Sequence, residues 1–150
     1  MLVRSFVAPM FATNCWVIAS AKGSECIIVD PGMTDISKEI EMIIEEHKLK
    51  PVAALLTHGH LDHTFSITPL ADGYDISAYI HSEDRRFIAD PAGIHGEQFV
   101  TQLQGMTFAE PKKVQELKNG STLQVLDMSI TAIHAPGHTR GSLMFTINDE

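Results

Sequence analysis

Apolar positions change period several times along this chain, and each change marks an element. The N-terminal part carries three short runs rich in β-branched and aromatic residues: Leu2 to Val7, Cys15 to Ala19 and Cys26 to Val29. Turn formers such as Ala21-Lys22-Gly23-Ser24 separate them, so they predict a meander of three strands. After Asp30-Pro31-Gly32 the spacing lengthens. Ile36, Ile40, Ile43 and Ile44 fall at i, i+4, i+7 and i+8, one face of a helix from about Thr34 to Lys48. Thr34 can cap that helix and Asp35 complements the positive end of its dipole. Lys48 and Lys50 lie near the negative end, and Pro51 stops it.

Val52 to Leu56 is an unbroken apolar run of strand length, the pattern of a strand buried on both faces by helices, which makes this an α/β layered protein. Ala78 to His81 predicts another strand. Ser82 to Ala89 predicts a short helix capped by Ser82, with Glu83 and Asp84 in its first turn. Asp90 to Lys112 reads as a long irregular stretch, and such loops are often functional. Thr122 to Leu126 and Ser129 to His134 read as a hairpin. Ser142 to Ile147 reads as a last strand whose Leu143, Phe145 and Ile147 share a face. Asn148-Asp149-Glu150 then signals a turn with no return strand to use it. A strand edge left that way invites a second copy of the chain, or further sequence, to cover it. No repeat, low-complexity tract or linker divides residues 1–150, which read as one domain.

Composition narrows the classes. A chain of 150 residues can bury a core of its own, and 44% hydrophobic with 20% charged residues is close to soluble averages. No segment approaches the roughly 18 apolar residues of a membrane span. Arg4, Pro9 and Asn14 make a poor signal peptide of the N-terminus, so a cytoplasmic protein without a membrane partner is expected. Net charge of −8 with only 11 Lys and Arg argues against nucleic acid. Cys15 and Cys26 read as small buried hydrophobes, and the seven methionines, which form no stripe, as core filler.

The eight histidines change the picture through their placement. Thr57-His58-Gly59-His60-Leu61-Asp62-His63 directly follows the buried strand, so its polar groups leave a rigid element together. Side chains two apart in extended chain point the same way, which lets His58 and His60 converge on one ion, while Asp62 and His63 face a neighbouring position. Gly59 leaves the backbone free to bend between them. A catalytic zinc site needs three protein ligands and one open position. His138, in Ala135-Pro136-Gly137-His138-Thr139-Arg140-Gly141-Ser142, is the natural third ligand. His134 competes with it, although Pro136 and Gly137 oppose the helix that would bring both imidazoles together. His47, His81 and His95 read as surface or satisfied polar residues. Asp30-Pro31-Gly32 reads as a turn whose Asp30 could support a metal ligand from behind.

His58-x-His60-x-Asp62-His63 resembles the HxHxDH signature of the metallo-β-lactamase superfamily, and Pro136-Gly137-His138-Thr139 resembles its next metal-binding segment. Asn14-Cys15-Trp16-Val17 and Asp30-Pro31-Gly32 are similar to the early strands of its glyoxalase II-like branch, the hydroxyacylglutathione hydrolases. The resemblance implies an αββα sandwich, with His58, His60 and His138 at a first metal and Asp62 and His63 at a second. The family pattern continues with a Gly-Asp segment, whose aspartate bridges the metals, and with a later histidine. Neither has a counterpart before Glu150. The expectation is therefore a sandwich incomplete at its C-terminal end, either truncated or completed by a partner chain, with one zinc and a weak second site.

A zinc held by three histidines lowers the pKa of its water to about 7, so hydrolysis is available with one metal. The expected reaction is attack on an ester or thioester carbonyl of a small molecule, such as a glutathione thioester, with Asp62 orienting the nucleophile or taking its proton. The alternatives are a metal-binding or partner-completed fragment without turnover, and the iron-dependent oxidation of persulfides that some similar proteins perform.

Overall fold

A computed structural model of the chain describes residues 1–33, 36–103, 105–125 and 127–148. The predicted meander is present as β1 (Leu2–Val7), β2 (Asn14–Ala19) and β3 (Glu25–Val29), paired antiparallel in that order. The isoleucine stripe forms α1 (Ser37–His47), with Ile36 at its N-cap and Lys48 closing it in the left-handed region. Thr34 and Asp35, the expected cap and dipole partner, lie outside the described residues.

The chain then crosses over to β4 (Lys50–Leu55), which pairs parallel with β3. Beyond β4 come α2 (Leu61–Thr64), α3 (Ile67–Tyr74) and β5 (Ser77–His81), which is parallel to β4. Sequence patterning did not predict α3, because Pro69 and Gly73 argue against a helix. Pro69 in fact falls in the first turn, where a missing N–H breaks no helical bond.

The helix expected after β5 divides into α4 (Ser82–Arg85) and a 3-10 turn at Arg86–Ile88. Its cap is not Ser82 but His81, whose ring accepts the Glu83 N–H at 3.2 Å. The stretch read as irregular contains α5 (Ala92–His95) and α6 (Glu97–Thr101), each too short for a periodic signal. It leads into β6 (Val114–Leu117), which completes a six-stranded sheet in the order β1-β2-β3-β4-β5-β6. A second sheet comes next in the chain, β7 (Thr122–Val125), β8 (Met128–His134) and β9 (Leu143–Ile147), antiparallel throughout with β9 at one edge.

Period-2 alternation sets the layers. Ile28, Ala54 and Ile80 face the helices, joining Ile40 of α1 and Leu70 and Ala71 of α3 in one core cluster. Ile27, Ala53 and Leu55 face the other way, against Val125, Met128 and Ile130 of the second sheet. The molecule is thus layered helix, sheet, sheet. The expectation of helices on both faces of β4 is corrected, since an apolar run shows burial on both faces but not what covers each.

Cys15 and Cys26 are free, buried members of the core, and burial pushes each thiol up to about 12. The methionines are not uniformly core filler: Met33 and Met128 are, but Met1, Met42 and Met144 are more than half exposed.

Two features gather the histidine-bearing segments at one place. Parallel β3, β4 and β5 end on the same side, delivering Asp30, the segment from Thr57 and the start of α4 to one rim of the sheet. The Leu143 N–H donates to the Thr57 carbonyl at 2.7 Å, so the loop between β8 and β9 is drawn onto that rim.

Candidate metal centre

Asp30 ends β3 with its backbone in the left-handed region (φ 48°) and its carboxylate buried. It accepts the Thr57 N–H at Oδ1 (2.8 Å) and the Thr57 hydroxyl at Oδ2 (2.6 Å). The hydroxyl proton is thereby committed to Asp30. Thr57 Oγ1, 2.9 Å from His58 Nδ1, is left to accept from Nδ1–H, which fixes the tautomer and frees the Nε2 lone pair. Asp30 therefore reaches the His58 ring through Thr57 from its place at the strand end.

His58 Nε2 lies 3.1 Å from His60 Nδ1. The His138 ring completes the group, its centroid 4.7 Å from that of His58 and 4.5 Å from that of His60, and the three donor atoms lie within 4.8 Å of one another. Two imidazole lone pairs at this separation repel unless a proton or a cation stands between them. Tetrahedral zinc, with Zn–N of about 2.0–2.1 Å, sets its nitrogens roughly 3.3 Å apart, a separation the His58–His60 pair matches, and His138 stands close enough to close on the same ion with a small inward shift. Among the described residues this is the one group of three such donors.

His134 stands elsewhere: its ring stacks on His81 (4.1 Å between centroids, 11° between planes) and its Nε2 meets the Arg140 carbonyl at 2.7 Å. Asp62 and His63 sit beside the cluster in α2. Asp62 Oδ2 accepts the Thr13 hydroxyl at 2.6 Å and lies 3.3 Å from His63 Nε2. His63 Nδ1 lies 3.0 Å from Asp30 Oδ2, an ion-pair contact off the direction of a hydrogen bond.

The electrostatics arise from this crowding. Burial, with His63 beside it, lowers the His58 imidazole to about 4, and burial with the neighbouring rings lowers His60. Burial also pulls His63 down, but Asp30 and Asp62 outweigh it and leave it raised. His58 is therefore neutral at pH 7, the form that ligates metal. For a histidine lowered in the folded state, the unfolded chain takes up the proton first, so stability is lost as pH falls from 6.5 towards 4. His63, raised, works in the opposite sense. The contribution of the raised His63 is lost only above pH 6.5, so the two lowered rings govern the window below it: the metal-free protein should melt at progressively lower temperature between pH 6.5 and 4, and bound metal should delay the fall. A pH-independent melt over that window would contradict the neutral cluster.

The family model of the Metallo-beta-lactamase superfamily matches residues 8–150. The chain belongs to that superfamily. Its members are mostly metal-dependent hydrolases, and the helix-sheet-sheet layering is that of the metallo-β-lactamase fold. An uncharacterized protein of Mycobacterium leprae is 40% identical over 98% of this chain and 67% of its own length. The hydroxyacylglutathione hydrolase of Cronobacter sakazakii is 30% identical over 91% of the chain but 44% of its own length. Among solved structures, the BLEG-1 B3 metallo-beta-lactamase superposes with a TM-score of 0.79 at 28% identity, covering 96% of this chain and 66% of that one. The chain thus spans about two thirds of the length of its mycobacterial relatives. Among the described residues no helix is long and apolar enough to cross a membrane.

Within this superfamily member, several residues at the site carried no local signal. Asp84, read only as a first-turn residue of the predicted helix, is fully buried and accepts hydrogen bonds from both histidine-bearing loops. Thr13, far from the motif, holds Asp62. His95, read as an ordinary polar residue, accepts the Leu61 N–H at 2.9 Å, and its ring centroid lies 5.0 Å from that of His60. Gly59 is needed for a reason other than bending: a Cβ there would stand 3.0 Å from the Asp84 carbonyl and from the Phe87 ring.

Proposed function

We propose that this chain hydrolyses a small-molecule thioester or ester with a divalent metal held by His58, His60 and His138. The observation that carries the reading is the convergence of three imidazoles from two separate loops, donor atoms within 4.8 Å of one another. Imidazole suits zinc, three ligands leave a fourth position open, and iron is the alternative that the same donors accept. Such an ion supplies Lewis acidity and a water whose pKa falls to about 7.

The chain's own residues do the rest. Thr57 and Asp30 hold His58 in the ligating tautomer. Asp62, with both of its polar contacts on Oδ2, keeps Oδ1 to orient the nucleophile and take its proton. Among the described residues, Asp62 and His63 are the groups beside the first site that a second ion would meet. The relationship to hydroxyacylglutathione hydrolase supports a thioester, with a glutathione thioester as the first substrate to try. The free cysteines suit the cytoplasm, and the charge of −8 disfavours nucleic acid as a partner.

The test joins metal analysis to turnover. We expect about one firmly held ion per chain, and hydrolysis of an acyl-glutathione that a chelator abolishes and zinc restores. Metal bound without turnover on any ester or thioester would make this a binding protein. Oxygen-consuming turnover of a persulfide with iron would make it an oxidising enzyme. Either result overturns the proposal.

A further inference from the structure

We infer that Asp84 is the positioning residue that brings the His58–His60 segment and the His138 loop together; only the metal readout of this inference rests on the function proposed above. A carboxylate with no solvent exposure is costly unless its oxygens are satisfied. Those of Asp84 are satisfied almost entirely by the ligand loops. Oδ2 accepts the Gly59 N–H (2.9 Å) and the Thr139 hydroxyl (2.5 Å), and Oδ1 accepts the Gly141 N–H (2.9 Å). Gly59 is the residue between two of the imidazoles, and Thr139 directly follows the third. These segments belong to different sheets; the Leu143–Thr57 backbone hydrogen bond joins their ends, and the Asp84 carboxylate joins them beside the imidazoles themselves.

The packing shows that the approach is built in. A Cβ on Gly141 would stand 2.6 Å from the Asp84 Cγ, and one on Gly59 would stand 3.0 Å from the Asp84 carbonyl. Both glycines therefore sit where the loops close on Asp84. The Thr139 hydroxyl is itself set by Ser142, whose Oγ accepts the Thr139 N–H at 3.0 Å and lies 2.8 Å from Thr139 Oγ1. Ser142 donates to Thr139 and Thr139 donates to Asp84, a one-way relay into the carboxylate.

The corner between β5 and α4 grips the same loop a second time, through the His81–His134 stack and the His134 contact to the Arg140 carbonyl. The span from Ala135 to Ser142 is thus held on both sides of His138 before any metal binds. A preformed site of this kind spares the ion the ordering of its third ligand.

Asp84→Asn tests this at constant shape. One carboxylate oxygen becomes an NH2 group aimed at N–H or O–H donors, so at least one loop is released. With Co(II) as the probe, we expect the folded variant to bind about 10–100-fold more weakly than the parent, the range for losing an outer partner. Its ligand-field spectrum should shift, and the Gly59 and Gly141 amides should exchange hydrogen faster. A residue that is merely structural would lower the melting temperature and leave affinity and spectrum alone, and that result overturns the inference. If Asp84→Asn fails to fold, Gly141→Ala and Thr139→Val keep the carboxylate while displacing or deleting one donor. Weaker Co(II) binding by these supports the anchor, and parental binding by both overturns it. If the parent itself binds no Co(II), the three-histidine reading fails, and amide exchange alone decides: protection of Gly59 and Gly141 unchanged in Asp84→Asn would sink the anchor too.

Discussion

Replacing His138 by alanine should remove firm metal binding and, with it, hydrolysis, whereas His134→Ala should leave both nearly intact. His138 closes the group of three donors, and two imidazoles from one loop do not hold an ion against water. The loss in affinity should exceed the roughly 10–100-fold that removing an outer hydrogen-bond partner costs. His134 stacks on His81 and meets the Arg140 carbonyl through one hydrogen bond, whose net contribution of about 1 kcal/mol limits the effect to roughly fivefold. Metal content by elemental analysis, read beside turnover, separates the two variants. Equal losses in both would mean that the loop, and not the ring of His138, was being measured.

Asp62→Asn should give the second large effect, a fall in kcat of roughly 10²–10⁴-fold with the first metal retained, the range of a positioned general base. The amide keeps the shape and can still accept the Thr13 hydroxyl, now 2.6 Å from Oδ2, so the side chain should stay in place. Unchanged kcat would remove Asp62 from the chemistry. Loss of the first metal along with activity would instead make it a ligand of that ion.

Much of the fold was legible along the chain because it depended on local periodicity. The three-strand meander, the isoleucine face of α1, the buried β4 and the hairpin of β7 and β8 each rest on a repeat of two or of 3.6 residues, which side-chain burial writes directly into the sequence. The short helices α5 and α6 escaped because one turn is too little for a period to show. Helix α3 escaped because Pro69 and Gly73 look like breakers until their positions in the helix are known. His81 took the capping role expected of Ser82, since the chain bends one residue earlier than composition indicates.

For the site, the candidate donor set was a property of spacing: His58 and His60, two apart after a strand, point together in any extended segment, and the glycine-rich loop around His138 offers a third donor. What spacing could not supply was the choice of His138 over His134 or the means of joining two distant loops. Strand order and layer packing decide these. Parallel β3, β4 and β5 bring Asp30, His58 and Asp84 to one rim, and the Leu143–Thr57 hydrogen bond lays the His138 loop across it. The sequence alone therefore determined which residues are chemically able to hold a metal, because that depends on side-chain type and local direction. Tertiary structure decided which of them meet, because a hydrogen bond such as Thr139 to Asp84 spans 55 residues of chain and leaves no local trace in either partner's neighbours.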